Sequence, residues 1–158
     1  MNINIICIGK LKEKYLKDAV DEYSKRLTRF ANLQIIELPD EKIPERSSDK
    51  IEEKILKKEG ELILSKLKKD SFIIAMCVEG RLISSEELAA TIKNVSQTSS
   101  NITFIIGGSL GLSDSVKKCA HARISFGKIT LPHQLMRVVL SEQIYRAFKI
   151  NANETYHK

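Results

Sequence analysis

Five apolar runs, each followed by a segment with helical spacing, constrain this chain more than any other feature. The runs occupy residues 2–8, 32–38, 72–78, 102–106 and 123–126. After the first, Tyr15, Leu16, Ala19, Val20, Tyr23 and Leu27 recur at the period of an amphipathic helix, with lysines and Arg26 largely opposite. After the second comes a polar loop with two prolines, and then a stripe running from Ile51 to Leu67 that Ser48 or Asp49 can cap. Ser84 and Glu87 have capping-box spacing ahead of Leu88, Ile92 and Val95. A short helix is expected around Val116, and a last one begins with Pro132 and His133 in its first turn and reaches about Lys149. Strict alternation of this kind predicts an α/β fold, a parallel sheet with helices on both faces. The unbroken apolar run at 72–78 agrees, because a strand covered on both faces needs no polar side. Without a shift in composition along the chain, residues 1–158 read as one domain.

The strands end in a telling way. Residues 102–106 stop at Gly107 and Gly108, residues 123–126 stop at Gly127, and the third run stops at Glu79 and Gly80. In parallel sheets ligands bind outside the carboxyl ends of the strands, so these loops are the first candidates for a site. Two common cofactor loops are excluded by their letters. Glycines at 107, 108 and 111 lack the G-x-G-x-x-G register of dinucleotide folds. Gly127-Lys128 is followed by Ile129, where a P-loop needs Ser or Thr.

With 26 basic and 20 acidic residues the net charge is +6, which puts an anionic partner beside the plainer reading of a lysine-rich surface. The amino terminus carries no basic leader, and no apolar stretch approaches the ~20 residues of a membrane span, so a cytoplasmic protein is expected. Cys7, Cys77 and Cys119 read as buried thiols, and His121, His133 and His157 have no metal spacing, so no metal site is expected.

The segments IGKLKEKY, FIIGGSLG, ISFGKITLPHQLMRVVLSEQIYRAFKI and the terminal YHK together resemble the pseudouridine N3-methyltransferases of large-subunit ribosomal RNA, nearly end to end. That family belongs to the SPOUT class of S-adenosylmethionine-dependent RNA methyltransferases. The resemblance implies a homodimer with a trefoil-knotted carboxyl-terminal half. It also implies a donor site formed by Met76, Gly107, Phe126, Gly127, Lys128, Ile129, Thr130 and Leu131. The residue types suit that role: an adenine ring takes an apolar slot with a few backbone hydrogen bonds.

His133 and Arg137 share a helix face beside the proposed donor loop. His133, near the positive end of a helix, is biased toward the neutral imidazole that can accept a proton, or it is a simple polar residue. Arg137 is expected either to hold an RNA phosphate or to form a surface salt bridge. The resemblance brings Tyr156 and His157 to the active site and makes Lys158 an RNA contact. Ala152 and Asn153 stand where the family pattern has arginine and glycine; asparagine can keep the left-handed bend that glycine would make. Leu110 replaces a more usual polar residue.

The activity implied is methyl transfer to N3 of a pseudouridine in ribosomal RNA of the large subunit or the assembled ribosome, with no role for DNA. Two rivals keep the same fold: a non-catalytic nucleotide-binding or ribosome-associated regulatory module, and a SPOUT methyltransferase acting on another RNA.

Overall fold

The computed structural model describes all 158 residues. Each apolar run becomes a strand and each striped segment a helix: β1 (Asn2–Ile8), α1 (Lys14–Leu27), β2 (Asn32–Leu38), α2 (Asp49–Lys66), β3 (Ser71–Leu82), α3 (Ser85–Ser96), β4 (Asn101–Ile106), α4 (Asp114–Cys119), β5 (Ala122–Ser125) and α5 (His133–Asn151). The five strands join one sheet in the order β2-β1-β4-β3-β5, and every neighbouring pair is parallel.

Alternate side chains of the sheet divide between two cores, as the pleat requires. Ile3, Ile5, Phe104 and Ile74 meet Leu27 of α1, Leu88 and Ile92 of α3, and Leu140 and Ile144 of α5. Ile6, Ile8, Ala75 and Ile105 meet Ile63 of α2 and Val116 of α4 on the opposite face. Every residue of β4 is buried, whereas the edge strand β2 is mostly not. The expected parallel sheet with helices on both faces is therefore the architecture found.

The helix starts obey local chemistry. Ser84 Oγ accepts from the Glu87 amide at 3.1 Å while Glu87 Oε2 accepts from the Ser84 amide at 2.8 Å, completing the capping box. Of the two candidate caps for α2, Ser48 is the one used. No helix is long and apolar enough to cross a membrane.

The chain leaves β1 toward the β2 edge and leaves β4 toward the β5 edge, so the connections reverse direction between these neighbours. Such reversals open crevices at the carboxyl ends of strands. β3 corrects the sequence reading. It does not stop at Glu79-Gly80 but runs to Leu82, with a bulge that lets both Met76 and Arg81 stand opposite Ile124 of β5. The thiols need correcting too: Cys7 is buried, and burial pushes its pKa up to about 11, but Cys77 and Cys119 are only half-buried.

Candidate active site

The β3 bulge, the glycine loop after β4 and the loop after β5 enclose a cavity of about 530 Å³ at one end of the sheet. Its walls are residues 76–79, 106–112, 124–127 and 129–131, completed by Lys117 of α4 and by His133 and Met136 of α5. Of the residues expected to line a donor site, Met76, Gly107, Phe126, Gly127, Ile129, Thr130 and Leu131 are brought together here. Lys128 is exposed and stands outside the lining. Ile129 is 82% exposed, an apolar side chain left at the rim.

The turn after β4 packs on itself. A Cβ on Gly107 would stand 2.4 Å from the carbonyl oxygen of Gly111, so a side chain there collides with the loop's own backbone. The glycine is needed to fold the wall, and room for a ligand is a by-product. Leu110 is partly buried in the same wall.

His133, the first residue of α5, is half-buried on the cavity wall. Burial, with help from the Arg137 and Lys12 charges, holds its pKa below the ordinary histidine value, while Asp40 opposes them. The neutral imidazole is thus favoured.

Arg137 overturns the outward-facing reading. Its side chain is completely buried. One terminal nitrogen, Nη1, donates to Glu37 Oε2 at 2.7 Å, and Nη2 donates to the carbonyls of Ile8 and Gly9 at 3.0 and 2.6 Å. Neither a surface salt bridge nor a free phosphate ligand describes it.

The tail folds back on its own chain. Asn153 takes the left-handed conformation, φ 54°, that the bend requires. The Tyr156 hydroxyl donates to Glu142 at 3.1 Å, its ring meets Tyr145 edge-on at 5.0 Å, and Arg146 lies over its face at 4.7 Å. Burial and the Glu142 carboxylate push its phenol up to about 12. His157 bonds Glu86 at 2.8 Å, and Lys158 is exposed. None of these three residues lines the cavity of its own chain.

Sequence reasoning missed Glu37 and Lys117, and it placed Glu79 at a candidate loop without giving it a role. Glu79 and Lys117 form an ion pair on the cavity wall, and the ammonium holds the Glu79 carboxyl below its usual range. Glu37 did leave a signal, as the one acid in β2. No group of three His, Cys, Asp or Glu side chains stands close enough to hold a metal ion.

Comparison with known proteins supplies what geometry alone does not. The chain is 57% identical over 159 residues to the ribosomal RNA large subunit methyltransferase H of Streptococcus uberis (strain ATCC BAA-854 / 0140J), covering 100% of both chains. Identity with the protein of the same name from Clostridium perfringens (strain 13 / Type A) is 58%, again over 100% of both. A solved structure described as a probable methylase family protein from Haemophilus influenzae Rd KW20 superposes with a TM-score of 0.56 at 17% identity, over 99% of this chain and 70% of that one, and supports the fold. Residues 1–157 match the family described as "Predicted SPOUT methyltransferase". With the strand-end cavity, the full-length relatives and that family match in agreement, this chain belongs to the SPOUT methyltransferase family.

Proposed function

We propose that the protein transfers a methyl group from S-adenosylmethionine to N3 of a pseudouridine in large-subunit ribosomal RNA. The observation that carries this reading is the cavity itself, built from the β3 bulge and the loops that follow β4 and β5, with a neutral-leaning histidine on its wall. The names of the full-length relatives supply the substrate class.

The residues present fit the donor. A volume of about 530 Å³ lies in the range of sites for ligands of this size. Met76, Phe126, Ile129 and Leu131 would flank the adenine ring, and backbone groups of the loops after β4 and β5 would bond its polar edges. When bound, the donor supplies a methyl carbon already activated by its sulfonium. The protein's own work is then alignment and removal of one proton. In this reading His133 takes the N3 proton, for which its neutral state is the competent one.

The reading includes a homodimer with a knotted carboxyl-terminal half, working in the cytoplasm where ribosomes are. It gives the tail of one protomer to the cavity of the other, since Tyr156 and His157 do not line the cavity of their own chain. The net charge of +6 favours a phosphate-rich partner.

The test is methyl-labelled S-adenosylmethionine incubated with large subunits, assembled ribosomes and free ribosomal RNA that lack the modification, followed by mass-spectrometric mapping. Label on N3 of a pseudouridine is the expected result. Label on another base reassigns the substrate, and no transfer to any of the three rejects the activity.

A further inference from the structure

Arg137 is the largest fully buried side chain in the protein. An ionised group held out of water costs several kcal/mol unless its hydrogen-bonding capacity is met. Here the two terminal nitrogens find acceptors in three places, the Ile8 carbonyl at the end of β1, the Gly9 carbonyl in the turn that follows, and Glu37 at the end of β2, while the buried Nε is left without a partner. The same Glu37 oxygen accepts from the Leu11 amide at 2.9 Å. One residue further, the Lys12 amide donates to Gln134 Oε1 at 3.2 Å, and Gln134 directly follows His133. A continuous set of bonds therefore ties the ends of β1 and β2 and the β1–α1 turn to the first turns of α5.

His133 lies one helical turn before Arg137, against that turn. Around the point where a Cβ on Gly9 would stand, His133 Nε2 is at 3.5 Å, Asp40 Cγ at 3.8 Å and Arg137 Nη2 at 3.9 Å. The imidazole rests on the segment that the guanidinium grips. To reach an RNA phosphate, Arg137 would have to give up every one of its bonds and leave an enclosed position.

We propose that Arg137 and Glu37 form a positioning clamp, which fixes the β1–α1 turn against α5 and thereby sets the place of the His133 imidazole on the cavity wall, with no phosphate contact by Arg137. This rests on the reading of His133 as the proton acceptor, and it assigns the clamp to alignment and not to binding. A planar guanidinium serves three acceptors in fixed directions, which a lysine ammonium on a flexible stem does not reproduce. The groups that set the protonation of His133 come from every side: Arg137 on α5, Lys12 on the β1–α1 turn, and Asp40 after β2.

The experiment compares wild type with Arg137→Lys, Arg137→Gln and Glu37→Gln. Glu37 is partly exposed, and in Glu37→Gln the amide oxygen can still accept from the buried guanidinium, which keeps its hydrogen bond and loses only the counter-charge, so this is the milder variant should those at Arg137 not fold. Single-turnover methyl transfer is expected to fall by about tenfold to hundredfold in Arg137→Lys and Glu37→Gln, a loss typical of small misplacement. Donor and RNA dissociation constants are expected to stay within about twofold, and the salt dependence of RNA binding to stay unchanged. The His133 ring proton, followed by NMR in the isolated protein, is expected to shift in every variant, and Arg137→Gln to raise the histidine's pKa by removing a neighbouring cation.

Weaker RNA binding with a salt slope reduced by about 0.7–0.9 would identify a lost phosphate contact and overturn the clamp. Unchanged transfer in folded variants would overturn it equally. If wild type itself transfers no methyl group, the proposed activity fails, while the His133 resonance still judges the clamp: a position and titration unmoved in Glu37→Gln and Arg137→Lys reject it.

Discussion

His133 links the chemistry to the stability of the fold. Its pKa is lowered in the folded protein, first by burial and then by Arg137. Above the ordinary value of about 6.5 the imidazole is neutral in folded and unfolded chains alike and contributes no pH dependence. As the pH falls below that value, the unfolded chain takes up the proton first, so stability is lost until the lower folded value has been passed. Urea denaturation of wild type and His133→Asn between about pH 7.5 and about pH 5 should show the difference in stability moving in favour of the variant on acidification. The same variant should lose most methyl transfer while still binding donor, measured by calorimetry. At Gly107 the constraint is steric: a Cβ would stand 2.5 Å from the Gly111 carbonyl carbon, which belongs to backbone and cannot swing aside. Gly107→Ala should therefore lose about 1–3 kcal/mol in urea denaturation and weaken donor binding as the wall shifts. Arg137 marks where residue-level reading stops. Four positions after His133 it looked like a surface cation, because nothing in a helical stripe reveals acceptors such as Glu37, 100 residues earlier in the chain.

At the scale of elements, periodicity carried the sequence a long way. All five strands and five helices were legible, because each strand is built on a mainly apolar run and each helix has its stripe or its cap. Glycines that end strands also pointed to the right end of the sheet, since the cavity lies among them. What the letters concealed was the length of β3. Glu79 and Gly80 read as a stop, whereas the bulge places them mid-strand and turns residues 76–79 into a cavity wall. Gly80 is needed there for close approach: a Cβ would come within 2.7 Å of the Ile124 carbonyl carbon in β5. β5 is an edge strand of only four residues, paired to β3 alone, so it has little else to hold it. Gly80→Ala should detach it locally, seen as faster hydrogen exchange in residues 122–127 while β1 and β4 stay protected. By contrast Ser84→Ala, which breaks the capping box of α3 away from the cavity, should lower stability by about 1 kcal/mol and leave donor affinity unchanged in calorimetry.

For the whole molecule, the role proposed for the tail depends on where the fold holds it. Within one chain Tyr156 is held by Glu142, Tyr145 and Arg146, and His157 by Glu86, so the terminus is an ordered part of the α3 and α5 surface. That order has a cause in the chain: the left-handed Asn153 turns the backbone so that Tyr156 can lie against α5. Both His157 ring nitrogens are engaged, by Glu86 and Arg146, so an anchored tail presents Lys158 from a fixed platform, which the proposed two-fold dimer would carry to the partner's cavity. Removing Tyr156, His157 and Lys158 should then abolish methyl transfer while leaving donor binding intact. Mixing is the sharper measurement. A tail-deleted chain has a sound cavity and a Gly107→Ala chain has a sound tail, so a mixed dimer holds one complete site. At a donor concentration too low to load the weakened Gly107→Ala cavity, random reassortment of equal amounts should restore about a quarter of wild-type transfer if tail and cavity come from different protomers. If each tail serves its own chain, no mixture of the two variants recovers activity, and the shared site is excluded.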